Sequence, residues 1–396
     1  MPVLAKHHGI RVIELDNGTR PIEVVKQSVI GIIGTAPDAD AVAFPLDENI
    51  LIISNLEQAA KLGRDGTLLT QIESIFAQGG ATIIVRRIDV GIDAAATLAN
   101  VVGDLATKTG IYGFLDASSN VKVEPKILIA PSFTMAYTGV LKNPAAVALQ
   151  TMADKLRGIC ILEATNTSKE AAVAYRDLHG HERSYIIAQS VKIYDTASQT
   201  SLDKSVVGAV AGLIVKRDKS VGTHHSPSNQ IINGITGVNR AVDFKLSDPD
   251  SEATYLDNNQ VNCIVSIQGD LKLWGNEMAT NDTSKRFINV RRTADLIADS
   301  VEEAFVWAMD KPNTSGLAHE VIERVGAFLR IMINGGAILG GEVWFDKSLN
   351  PIDALMQGAL SVSFDQEVPA PMKDLRFYMS RNSDYYLQEF DQLKAA

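Results

Sequence analysis

The sequence predicts an α/β protein: an α/β domain with a mostly parallel sheet, then a smaller α+β domain towards the C-terminus. Three observations carry this. The strand-like runs of the first half are continuously apolar (SVIGIIG at 28–34, ATIIVRRI at 81–88, GICIL at 158–162), as strands buried on both faces are. Helical patterns separate them, which is the order of a parallel sheet with helices on its faces. Beyond about residue 250 the texture changes to long amphipathic helices and cleanly alternating runs such as LSVSFDQEV at 360–368, the mark of one-sided sheets.

In chain order, residues 1–27 stand apart. Gly9–Leu15 alternates, with Ile10 and Val12 on one face and Arg11 and Ile13 on the other; Asp16-Asn17-Gly18 is a hairpin-type turn, and Pro21–Val25 reads as a second strand. Two strands alone are marginal, so this hairpin needs a sheet to join, in its own chain or in another. Residues 28–218 form the α/β domain. Strands are expected at Ser28–Gly34, Leu51–Ile53, Ala81–Ile88, Lys126–Ala130, Gly158–Leu162 and Ser184–Ala188. Helices are expected at Asn55–Leu62, Thr67–Phe76, Ala94–Leu105, Ala145–Leu156, Lys169–Leu178 and Ser205–Val215.

Residues 219–250 are polar and turn-rich, a connecting segment, and 251–371 make the second domain. There Glu252–Asn258 reads as a short helix, and Cys263–Gln268 pairs with Leu271–Trp274 across Gly269-Asp270. A long helix follows: Ala294, Ile297, Val301, Ala304, Phe305 and Ala308 share its apolar face. Asp295, Asp299 and Glu302 lie off that face, and Lys311-Pro312 stops it. Gly316–Ile333 is a second helix, ended by Gly335-Gly336. Glu342–Phe345 is a strand, Ile352–Gln357 a short helix and Leu360–Val368 a strand. After Pro369-Ala370-Pro371, Leu375–Ser380 resumes the alternation in a C-terminal segment spanning 372–396.

Four stretches, in order, carry a resemblance. They are HGIRVIEL at 8–15, VIGIIGTAP at 29–37, PSNQIINGITGV at 227–238, and the long stretch with Trp274-Gly275-Asn276, Arg292-Thr293-Ala294-Asp295 and WAMDKP at 307–312. Together they resemble contractile tail sheath proteins of the kind found in P2-like myophages and R-type pyocins. The stretch 89–220 matches least. The resemblance implies an outer α/β domain, a C-terminal sheath domain and extended arms at both ends that add strands to neighbouring subunits. It implies stacked six-fold rings around an inner tube that contract to drive the tube through a cell envelope. It also implies partners: copies of the chain itself, an inner tail tube protein, and baseplate and tail terminator proteins. The setting is a virion or phage-tail-like particle assembled in the bacterial host cytoplasm.

On that reading the arm residues are Ile10, Arg11, Val12, Ile13 and Leu15 at the N-terminus and Leu375, Phe377 and Met379 at the C-terminus. Val362 and Phe364 mark the receiving strand. Arg324 and Arg330, off the apolar stripe of their helix, are the expected tube-facing residues. Trp274, Gly275 and Asn276 are expected to fix the domain core.

Composition bounds the alternatives. The 396 residues are 46% hydrophobic and 21% charged, and 37 basic against 47 acidic residues leave −10, which argues against a general nucleic-acid binder. No apolar run reaches 18 residues, so no membrane insertion is expected, and the N-terminus lacks an apolar signal-like core. Cys160 and Cys263 each lie in an apolar run and read as buried free thiols.

The catalytic and cofactor patterns all fail. GDLATKT at 103–109 has Thr107 where a phosphate loop needs glycine. Gly31-Ile32-Ile33-Gly34 is not a dinucleotide fingerprint. His179, His181 and Glu182 read as a solvated turn, and His319-Glu320 lacks a second histidine. Asp248, Asp250 and Glu252 are spoiled as a calcium loop by Pro249. No enzyme, cofactor or metal is expected. The competing classes are an α/β nucleotide-binding protein or enzyme of unknown reaction, supported only by fold class, and a binding module whose terminal hairpin closes its own sheet.

Overall fold

A computed structural model describes residues 22–24, 27–135, 141–195 and 199–391. Its centre is a six-stranded sheet of β1 (Val29–Thr35), β2 (Asn49–Ile53), β3 (Thr82–Ile88), β4 (Ile127–Ile129), β5 (Ile159–Glu163) and β6 (Ser184–Ile187). The order is β2-β3-β1-β4-β5-β6. All neighbours run parallel except β2, which pairs antiparallel with β3 at the edge.

The continuous apolar run of β1 serves both faces at once. Ile30 and Ile32 enter one core with helices Leu68–Gln78 and Val207–Val221. Val29 and Ile33 enter the opposite core with helices Ala94–Val102, Pro144–Lys155 and Lys169–Leu178. Each buried Ile or Leu contributes about 1.5–3 kcal/mol, which fixes the register of this strand. On the first face the helices approach closely because Gly208 and Gly212 have no Cβ; one added at Gly212 would lie 2.6 Å from the Ile75 carbonyl oxygen.

The apolar packing runs across the expected boundary near residue 250. β11 (Cys263–Ile267) and β12 (Asp270–Trp274) form the expected hairpin, joined by β9 (Gln230–Ile231). Ile264, Leu273, Met278 and Ile288 complete the first core, and Ala253, Leu256 and Cys263 the second. Asn262 extends the edge of β6 through a parallel bridge to Ile187.

A third, separate core lies among the helices Ile288–Ala304 and Ser315–Asn334 and a two-stranded ribbon, β13 (Val343–Trp344) with β14 (Ser363–Phe364). Its buried members include Ile22, Leu296, Ile297, Val325, Phe328, Leu329 and Val368.

Several expectations need correction. The long helix ends at Ala304, and Val306–Ala308 is a 3-10 turn, so Ala308 is not on the helical stripe. The helix expected at 205–215 runs from Val207 to Val221. Of the strand expected at 360–368, only Ser363–Phe364 is regular, with one further bridge from Glu367 to Gly340. Residues 22–24, expected in a strand, are irregular. Residues 375–380 pair with no strand of this chain among the described residues.

Besides the helical turns at 110–121 and the short β9, two features went unforeseen. One is the hairpin of β7 (Val191–Asp195) and β8 (Thr200–Lys204), flanked by β10 (Gly237–Val238). The other is a terminal helix, Asp384–Asp391. Ile10, Arg11, Val12, Ile13 and Leu15 lie outside the described residues.

Candidate functional site

The surface that calls for a partner is the C-terminal segment from residue 372 through 391. Leu375, Phe377 and Met379 are 62%, 85% and 98% exposed, and the intervening Arg376 and Tyr378 are exposed as well. Tyr385, Tyr386, Leu387 and Phe390 on the terminal helix are also exposed. Isolated exposed apolar residues are ordinary, whereas a contiguous run marks an interaction surface.

The ribbon of β13 and β14 offers edges that take no other strand among the described residues, and two strands alone are marginal. Phe364 turns its side chain onto the helical core, where Val343 also packs. Val362 is half-buried and precedes the regular strand. What β14 presents to a newcomer is therefore its main chain.

The two expected tube-facing arginines differ. The Arg324 guanidinium donates to Glu320 at 2.6 Å and stacks 4.4 Å from the centre of the Trp307 ring, with Lys311 4.1 Å from that same centre. Arg330 is exposed.

The sequence reading missed what joins the helical core to the sheet. The face of helix Ile288–Ala304 opposite its apolar stripe carries charge, and that charge is buried. Arg183 binds Asp295 through two bonds, of 2.6 and 3.1 Å, with both side chains 5% exposed. Arg292 grips Asp218 through bonds of 2.7 and 2.6 Å and also donates to the Gln27 carbonyl. Asp299 accepts from Lys126 and Gln27, each at 2.7 Å, and from Arg157 at 2.9 Å. This seam borders a cleft of about 1440 Å³ lined in part by Ile22, Lys126, Asp299 and Trp307. The available signal was Arg291 and Arg292 followed by acids at 295 and 299, all off the apolar stripe.

The Trp274-Gly275-Asn276 turn sits where expected. The Gly275 carbonyl accepts from the buried Tyr185 hydroxyl at 2.7 Å, Trp274 meets Phe244 edge-on, and Asn276 is buried. The loop at 103–109 is filled by its own chain, with Asp104 accepting from the amides of Ala106 and Thr107. His179 departs from the solvated turn expected for it. It is buried, stacks on Tyr175, and accepts the Asn143 amide at Nε2 at 2.8 Å, and burial lowers its pKa. His181 stays near the surface beside Asp154. Both cysteines are buried, and burial raises the Cys160 thiol to about 12. Among the described residues no group of three His, Cys, Asp or Glu could hold a metal ion, and no helix is long and apolar enough to cross a membrane.

Comparison with known proteins decides what this surface belongs to. Residues 280–380 match the family model of the phage tail sheath C-terminal domain. The tail sheath protein of Escherichia phage P2 is 30% identical over 391 residues, covering 96% of both chains. A putative prophage major tail sheath protein of Pseudomonas aeruginosa is 32% identical, covering 93% of this chain and 95% of the relative. The chain belongs to the tail sheath protein family. It is a structural subunit of a contractile tail sheath.

Solved structures agree on the sheath subunit's fold. The helical sheath of the anti-feeding prophage in its contracted state superposes with a TM-score of 0.71 at 17% identity, covering 96% of this chain and all of the other. The sheath of the extracellular contractile injection system PVC, also contracted, gives 0.70 at 14%, covering 96% and 99%.

Proposed function

We propose that this sheath subunit is linked to its neighbours by exchanged strands and works as a passive mechanical element. Residues 28–218 act as the outer α/β domain, 219–250 as the connection and 251–371 as the C-terminal sheath domain. Residues 1–27 and 372–396 act as arms. Rings of subunits stack around an inner tube, and the lattice stores energy as the difference in contact between an extended and a contracted packing. Release drives the tube through an envelope without chemistry in the subunit itself. Baseplate and terminator proteins start and end the stack, in a tail particle assembled in the bacterial host cytoplasm.

The observations that carry this are the exposed apolar run of Leu375, Phe377 and Met379 and a two-stranded ribbon that pairs with no other strand among the described residues. Strand addition satisfies both through main-chain hydrogen bonds, and such bonds persist while the bodies they join reorient. Ile10, Arg11, Val12, Ile13 and Leu15 act as the second donor, and the strand holding Val362 and Phe364 as the receiver. Of the two arginines, Arg330 is the better placed to touch the tube, because Arg324 is engaged by Glu320 and Trp307.

The test is negative-stain microscopy of the purified chain beside Met379→Pro. Proline removes one ladder donor, so tubes from the parent and a folded, unassembled variant are expected. Tubes from both would remove the C-terminal arm from the linkage.

A further inference from the structure

Between the helical core and the exposed arm runs a short strap, residues 368–373. Val368 is buried in the helical core. One residue later the Pro369 carbonyl accepts from Asn289 Nδ2 at 3.1 Å. Lys373 then reaches the sheet-bearing body. Its Nζ lies 2.8 Å from Asp257 Oδ2, in the Glu252–Asn258 helix, and also donates to Glu277 Oε1. Glu277 is fully buried, and its second oxygen accepts from Arg286. Between these anchors the strap crosses a cavity of about 680 Å³ bordered by His224, Asn276, Asn289 and Pro371. The strap's course therefore depends on its two ends and on the fixed φ of Pro369 and Pro371. From Lys373 onward the residues are exposed through 391.

We propose that Lys373 is the root of the C-terminal arm, a positioning residue that fastens the arm to the sheet body instead of to the helical core the chain has just left. This rests on the strand-exchange reading above. The Glu252–Asn258 helix supplies Ala253 and Leu256 to the core of the sheet, so a pull on the arm is delivered there and not to the ribbon. An arm held at its root meets a neighbour already directed, which lowers the ordering cost of assembly.

The experiment compares the full chain with Lys373→Gln and Lys373→Arg, each carrying Ser380→Cys for a fluorescent label. Cys160 and Cys263 are buried, so only residue 380 reacts. In unassembled protein, Lys373→Gln lowers the label's anisotropy while the main melting transition stays cooperative. Its critical concentration for polymerisation rises about tenfold or more, and arginine restores both. Unchanged anisotropy and critical concentration in Lys373→Gln overturn the proposal. So does a loss of assembly that comes only with loss of cooperative melting, since Lys373 is then a stability residue. If Lys373→Gln does not fold, Asp257→Asn, which keeps Glu277 paired, carries the same two readouts. A chain ending at residue 373 separates the two levels: if it still polymerises, the arm-linkage reading fails, and anisotropy alone decides whether Lys373 holds the root.

Discussion

At the scale of single residues, two buried positions have consequences that stability measurements can read. Gly275 has φ +127°, and a Cβ there would lie 2.2 Å from Asn262 Oδ1. Asn262 cannot retreat, because its Nδ2 donates to the carbonyls of both Ile186 and Glu277. Gly275→Ala therefore combines a left-handed backbone with a steric clash, and a loss of about 2–3 kcal/mol in denaturant unfolding is expected. His179 gives a pH dependence. Its Nε2 must be unprotonated to accept the Asn143 amide, and burial lowers its pKa below the ordinary value of 6.5. The unfolded chain therefore takes up the proton first as the solution is acidified. The stability His179 contributes is complete above about pH 6.5 and is lost as pH falls through the lowered value. The melting temperature of the parent should fall more steeply on acidification below pH 6.5 than that of His179→Gln, which keeps a neutral acceptor. Parallel curves would show that His179 does not couple to pH. Both sites lay partly hidden in the sequence: glycine after Trp274 announced a turn, but nothing local distinguishes a buried histidine in LHGHERS from a solvated one.

At the scale of elements, the Ile288–Ala304 helix joins two cores by different means on its two faces. Leu296 and Ile297 enter the helical core, while Arg292, Asp295 and Asp299 bind the sheet body through ion pairs. Its apolar stripe was legible from spacing alone. The acids on the other face could be read only as lying off the stripe, because periodicity reports which side is apolar and not whether the polar side is buried. The partners that bury it, Lys126, Arg157, Arg183 and Asp218, come from distant sequence. The same limit explains the β7–β8 hairpin. Thr200–Lys204 is exposed along nearly its whole length, so it lacks the apolar run that announced the central strands. The seam makes a quantitative prediction. Asp299→Ala leaves Lys126, 7% exposed, without its closest acid; Glu124 lies farther off, at 3.5 Å. Removing one partner of a buried pair costs about 3–5 kcal/mol. Chemical denaturation of Asp299→Ala should show that loss, and the double variant Lys126→Met with Asp299→Ala should recover part of it. No recovery would mean that Arg157 and Gln27, not Lys126, dominate the site.

At the scale of the whole molecule, the described body is held together by contacts that reach from Ile22 to Lys373. The central sheet begins at Val29, and the sequence announced this through SVIGIIG. Among the described residues before Val29, Ile22 lies in the helical core, Gln27 bonds Asp299 and Arg292, and Ser28 donates to Asp218. The described body is thus closed from residue 22 onward by its own contacts. A terminal strand that pairs within its own chain is needed for the monomer to fold, whereas one that pairs with a neighbour is needed only for the polymer. Deleting residues 1–20 keeps Ile22 and Gln27, so circular dichroism should show cooperative melting within a few degrees of the parent, while sedimentation velocity should show no large assemblies. Placing proline at Val12 should reproduce both results, because it removes one ladder donor without shortening the chain. An unfolded truncated chain would assign the hairpin to its own domain. A truncated chain that still sediments as tubes would leave the C-terminal arm as the connection that holds the lattice together.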